Sequence, residues 1–267
     1  MLAIISQAIK RKKWSIFIYS LAGVLFMWMF VAMYPSIANE AEVFQEAFSN
    51  YPKEFFQIFN IETLNFDSLE KFLAIENFSI MWPLLVLFMG IALAGTNIAG
   101  EIEKGTMSLI LARPISRATI FVAKYLAGML SIFIFIVLSI FFIIPLATLH
   151  NVSYILESYI TIAVLGFFFS LAIYSLSMLF SSIFSEKSKV YMVMGGIIFP
   201  MYLFNVVANL RNSWEDLRYF SFFHYFDYNK ALFDYAIGWE SLFVFGATII
   251  ITFTCGILIF KHRDVAI

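Results

Sequence analysis

Charge is scarce in this chain, and cysteine, histidine and proline are scarcer still. Only 13% of its 267 residues are charged, and it holds one cysteine, three histidines and six prolines. The lone Cys255 lies in an apolar run, which excludes a disulfide within the chain and any cysteine-based metal cluster. No Gly-x-x-x-x-Gly-Lys-Ser/Thr phosphate loop occurs, so the chain does not bind ATP in that way. His150, His224 and His262 are far apart in sequence, with no His-Glu-x-x-His pair and no Gly-x-Ser-x-Gly elbow. That weighs against zinc-peptidase and serine-hydrolase chemistry. Acidic and basic residues nearly balance at a net charge of −1, so no global field attracts nucleic acid. The long apolar runs contain no charged pairs of the kind that mark proton- or sodium-driven carriers and voltage sensors.

What the chain has instead is apolar length. Apolar residues make up 62% of it, mean hydropathy is +0.88, and there are 33 Phe. A soluble fold of this size could not hide so much apolar surface, so lipid must be part of the solvent. A spanning helix needs about 20 apolar residues. Six runs qualify: 14–34, 79–98, 125–149, 158–184, 190–210 and 242–260. None contains a Lys or Arg, each of which would cost about 3 kcal/mol at a helix centre. The first run follows four consecutive basic residues and could be read as a signal peptide. At 21 residues it is longer than a signal core, and five more spans follow.

Orientation follows from the basic residues. With both termini in the cytoplasm, that side collects Lys10, Arg11, Lys12, Lys13, Lys104, Arg113, Arg117, Lys124, Lys187, Lys189, Lys261 and Arg263. Only Lys53, Lys71, Arg211, Arg218 and Lys230 of the 17 basic residues remain outside. The outer loop 35–78 is acidic, and its apolar residues recur at helical spacing, which predicts two or three short amphipathic helices over the outer mouth. The outer loop 211–241 is rich in aromatic residues and predicts short interfacial or re-entrant helices. Gly195, Gly196 and Pro200 would let the fifth span bend or break. No linker or repeat divides the chain, so it reads as a single transmembrane domain with fold class all-α.

Chemistry concentrates in the cytoplasmic loop 99–117. Gly105 should stop the second helix, Thr106 should cap a short helix over 107–112, Pro114 should end it, and Ser116 should cap the third span. Met107, Ile110 and Leu111 would then offer apolar contacts. Glu101 and Glu103 fall where a helix C-terminus disfavours carboxylates and where the inside-positive trend is broken. The local sequence gives no reason for them, which points to a partner.

The ordered set Gly100-Glu101, Glu103-Lys104-Gly105-Thr106, Leu109-Ile110-Leu111-Ala112-Arg113-Pro114-Ile115-Ser116-Arg117 and Lys124 resembles the first cytoplasmic loop of ABC-2 type exporter permeases. The segments 55–77 and 220–227 and the six-span layout are similar to that family as well. The resemblance implies a type V ABC exporter. In it, two permease subunits, identical or homologous, each rest on a cytoplasmic ATPase subunit in the plasma membrane of a bacterium. ATP and Mg would sit on the two ATPase copies and no cofactor on this chain, which would be a non-catalytic subunit. Loop 99–117 would be the coupling helix pressed into the ATPase through Glu101, Glu103, Lys104, Gly105, Thr106, Met107, Leu111, Arg113, Pro114 and Arg117. Glu186 and Lys187 would make a second contact, and residues 1–13 an interfacial connecting helix. The cargo class by this resemblance is an amphipathic peptide, antibiotic or lipid. A secondary carrier or channel without ATP coupling is the other reading.

Overall fold

A computed structural model describes residues 1–40, 52 and 66–264. The amphipathic helices expected in the acidic outer loop fall almost wholly outside the described residues. Among the described residues, six helical stretches are long and apolar enough to cross a membrane: Leu2–Asn39, Leu69–Asn97, Arg117–Leu149, Leu156–Ile183, Lys187–Leu210 and Trp239–His262. Each is longer than its apolar run, because polar and basic residues at the ends are good enough helix formers to prolong it.

The first stretch is one helix, α1 (Leu2–Asn39), and the basic run 10–13 lies inside it. The helix expected over 1–13 runs unbroken into the span, since no glycine or proline precedes the span to break it. The second stretch has three parts: α2 (Leu69–Leu73), a π-helical segment (Ala74–Met81) and α3 (Trp82–Asn97). The wide π turns end at Pro83, which lacks an N–H and would crowd the carbonyl four residues back in a regular helix. After Ile98 come α4 (Ala99–Glu103) and α5 (Thr106–Leu111). The third stretch is α6 (Arg117–Phe141), capped by the Ser116 hydroxyl, which accepts from Thr119 N at 3.2 Å, followed by α7 (Ile143–Leu149). The fourth and fifth are α8 (Leu156–Ile183) and α9 (Lys187–Leu210). Helix α9 passes Gly195, Gly196 and Pro200 without a break, so of the bend or break expected for the fifth span the break does not occur.

Between α9 and the last helix lie a 3-10 segment (Asn212–Phe220), α10 (Phe222–Tyr225) and α11 (Tyr228–Phe233). These short helices press into the bundle: Phe222, Phe226, Tyr228 and Leu232 are all buried. The Phe226 ring lies between Trp82 (centroids 5.8 Å apart, planes at 10°) and Phe169 (4.7 Å). Trp82 also donates from Nε1 to Ser139 Oγ at 3.0 Å. The sixth stretch is α12 (Trp239–His262).

Helix α8 is the hub of the bundle. It packs against α3, α6 and α12, and its serines Ser170, Ser175, Ser177 and Ser182 turn inward and donate to the carbonyls four residues back. Small residues on facing helices make this possible. A Cβ on Gly128 of α6 would fall 2.1 Å from the Tyr174 hydroxyl oxygen. Gly128→Ala is therefore expected to destabilise the bundle by roughly 1–3 kcal/mol, the usual cost of overpacking. Gly246→Ala, where a Cβ meets nothing within 4 Å, is expected to leave stability unchanged. Thermal unfolding in detergent would check both, and adding Tyr174→Phe to Gly128→Ala should recover part of the loss.

Candidate functional site

The second span breaks at Ile98, whose φ of −120° and ψ of −64° interrupt the helix. A break strands backbone donors and acceptors, and in an apolar bundle they must be satisfied from elsewhere. Ser181 of α8 supplies one repair: its hydroxyl donates to Ala94 O at 2.7 Å and accepts from Ala99 N at 3.0 Å, bridging the two sides. Asn97, beside the break, ties it to the neighbouring helices. Its Nδ2 donates to the Tyr174 hydroxyl (2.9 Å) and to Lys124 O (3.2 Å). Its Oδ1 accepts from the ammonium of Lys12, which also donates to Leu93 O at 2.8 Å. Four helices, α1, α3, α6 and α8, thus meet at this one break.

Helix α4 then carries Glu101 into the junction of α1, α5 and α6. The carboxylate oxygen Oε1 lies 3.1 Å from Arg11 Nη1 and 3.4 Å from Lys124 Nζ, and Oε2 accepts from the Thr106 hydroxyl. The Lys124 and Glu101 side chains are 5% and 14% exposed. Glu103 reaches the other way, and its Oε2 accepts from Lys187 N at 3.0 Å, supplying α9 with the N-terminal acceptor that Glu186 does not give.

These contacts correct the sequence reading in three places. The two carboxylates, for which the local sequence offered no partner, each find donors within the chain. Thr106 does not cap α5. Its N-cap residue is Gly105, at φ of 69°, where glycine is needed for that left-handed turn and not for space. Met107 is not an outward contact either. It is 1% exposed and belongs to the core, with Ile110 and Leu111 packed against it. The apolar residue that α5 does present is Leu109, at 71% exposure, next to the exposed Lys104, Arg113 and Pro114.

Of the remaining residues singled out by sequence, Arg117 donates from Nη1 to Arg263 O. Arg263 in turn donates to Ser182 O (2.8 Å) and Phe184 O (2.9 Å) at the C-terminal end of α8. Glu186 pairs with Lys189 at 2.7 Å on the surface, where such pairs contribute little. Lys187 takes part through its backbone N–H. Sequence reasoning missed Lys12, Asn97, Ser181 and Leu109. An asparagine inside an apolar run was the available signal for the first three.

Burial opposes ionisation of Glu101, but the Lys124 ammonium, the Thr106 hydroxyl and Arg11 outweigh it and hold its carboxyl below the usual range. A carboxyl depressed in the folded state stabilises above its unfolded pKa, and that contribution is lost as pH falls through the folded one. Glu101→Gln is expected to lower stability by about 1.5–3 kcal/mol at neutral pH, as for other hydrogen bonds to charged groups. The deficit should close on acidification below the ordinary glutamate range. Melting temperatures of both proteins across pH would check this.

Residues 7–265 match the family model described as "ABC-2 family transporter protein". Searches of the curated proteins and of the solved structures found no match. The match covers nearly the whole chain, including all six apolar stretches and the junction around Glu101. The chain is a multi-pass membrane transport protein and belongs to the ABC-2 family of transporter proteins.

Proposed function

We propose that the chain is the permease subunit of an ATP-driven exporter, and that loop 99–117 takes the force from a separate ATPase. The observation that carries this reading is the division of labour in the loop. Glu101 and Glu103 bond back to their own chain and tie the loop to α1, α6 and α9, while Leu109, Lys104 and Arg113 are exposed. A loop held this firmly cannot be displaced without moving the spans attached to it. Its exposed face, with one large apolar side chain and two cations, suits a protein partner better than water.

In this reading both termini and the loop lie in the cytoplasm, as the basic residues imply. Two ATPase copies hold ATP and Mg, this chain catalyses nothing itself, and the complex sits in the plasma membrane of a bacterium. A second permease, identical or homologous, faces the first across the fifth span. Supporting that arrangement, Gly195 and Gly196 have open space where a Cβ would stand, and an apolar groove of about 440 Å³ runs between the second and fifth spans past Leu84, Phe88 and Phe199. The groove walls would accept the apolar face of an amphipathic peptide, antibiotic or lipid. Transport without ATP coupling is the competing reading, and stable capture of an ATPase separates the two.

Leu109→Glu should fold and insert normally, because the side chain touches little of its own chain. It is expected to weaken retention of the ATPase about tenfold, the equivalent of ~1.4 kcal/mol for loss of an interface anchor. Lys261→Gln, an exposed cation at the end of α12, is expected to retain it fully. Co-purification at graded concentrations would measure both, and equal retention would remove Leu109 from the contact.

A further inference from the structure

One face of α1 has a pattern that the coupling role leaves unused. Gln7, Arg11, Trp14, Ile18, Leu21 and Leu25 follow one another at spacings of three or four and are all exposed. The stripe is apolar from Leu25 to Trp14 and turns polar at Arg11. Trp14 is 67% exposed, and the Lys13 ammonium lies 5.7 Å from its ring centroid. A tryptophan with an adjoining cation is a marker of headgroup depth.

At that level the stripe runs into a cleft between α1 and α5, walled by Ile4 and Ile110 and holding Arg11, Arg113, Lys124 and Glu101. Among the described residues lining it, three cations face one carboxylate, so the cleft keeps an excess positive charge after the ion pairs have formed. Arg11 uses only Nη1 on Glu101 and is half exposed, which leaves most of its donor fork free. Arg113 is exposed and forms no ion pair with any described residue. Two guanidinium groups around one opening favour a phosphate, which they can grip in bidentate fashion.

We propose that this cleft binds the headgroup phosphate of an anionic phospholipid from the cytoplasmic leaflet, with the acyl chains lying along Trp14, Ile18 and Leu21. The lipid bridges α1 and α5 across the cleft, which Gln7 and Leu109 also line. This makes the position of the coupling loop dependent on leaflet composition. The inference takes its sidedness from the permease reading, but lipid binding itself requires no ATPase.

The test uses purified full-length permease in neutral detergent, with melting temperature as the readout. Phosphatidylglycerol should raise it more than phosphatidylcholine does. Arg113→Gln should need about fivefold more phosphatidylglycerol for the same rise, equivalent to ~1 kcal/mol for one cation near a lipid surface. Lys261→Gln should respond as the wild type. Equal protection by the two lipids, or an unchanged response in Arg113→Gln, overturns the proposal. Protection by inorganic phosphate alone, at the same headgroup concentration, shows a soluble-anion site and overturns the lipid assignment. If Arg113→Gln keeps its lipid response and loses only ATPase retention, the cleft is a protein contact and the proposal fails while the permease reading stands.

Discussion

Polar backbone cannot be left open inside an apolar bundle, and the break at Ile98 is where this chain meets that constraint most sharply. Each unsatisfied group in hydrocarbon costs several kcal/mol. Backbone groups beside the break are therefore answered by Ser181 from α8 and Lys12 from α1, and the Asn97 side chain adds a tie to the backbone of α6. Those repairs have a mechanical consequence. The loop beyond the break cannot swing as a free arm, because its root is fastened to three other helices. The ion pairs of Glu101 add a second set of fastenings one turn further on.

The same solution recurs at three other span ends. Helix α8 has no side-chain cap at its N-terminus, and the buried Glu70 accepts from Ile155 N at 2.8 Å there. Glu103 does the equivalent for α9, and Arg263 answers the last carbonyls of α8. Carboxylates stand at N-termini and a guanidinium at a C-terminus, the signs that helix dipoles favour. Each such contact comes from an element distant in sequence, so capping and tertiary structure are one set of interactions. Loops that look like simple connectors are thereby made rigid parts of the bundle.

Much of this was legible in the sequence, for physical reasons. Long apolar runs without charge have one outcome in lipid, so the six spans could be read directly, with helix ends misplaced only where polar residues prolong them. Gly105 and Ser116 mark a turn and a cap by local chemistry, and both act there. What local chemistry cannot carry is the partner of a charge. Glu101 and Glu103 looked unexplained because Arg11, Lys124 and Lys187 are remote in sequence and meet them only after the helices pack. Thr106 was misread for a related reason: it stands one residue inside the helix, and its hydroxyl donates back to Glu101. Met107 was read as an outward contact and Leu109 passed over because a six-residue helix has too few turns for its buried face to be read from spacing. The continuity of α9 through Pro200 shows the same limit, since neighbouring groups in a membrane bundle can satisfy what proline leaves open.

The central claim is that the carboxylate of Glu101 is held by the chain itself and that this fastens the loop to the third span. A double-mutant cycle on Glu101→Gln and Lys124→Met, read by equilibrium unfolding of the purified permease in mixed micelles, addresses it directly. The account requires a coupling energy of roughly 1–3 kcal/mol, the range for residues in one charged network. Losses that simply add, within about 0.5 kcal/mol, would mean that the two charges do not support one another and that the fastening proposed for the loop does not exist.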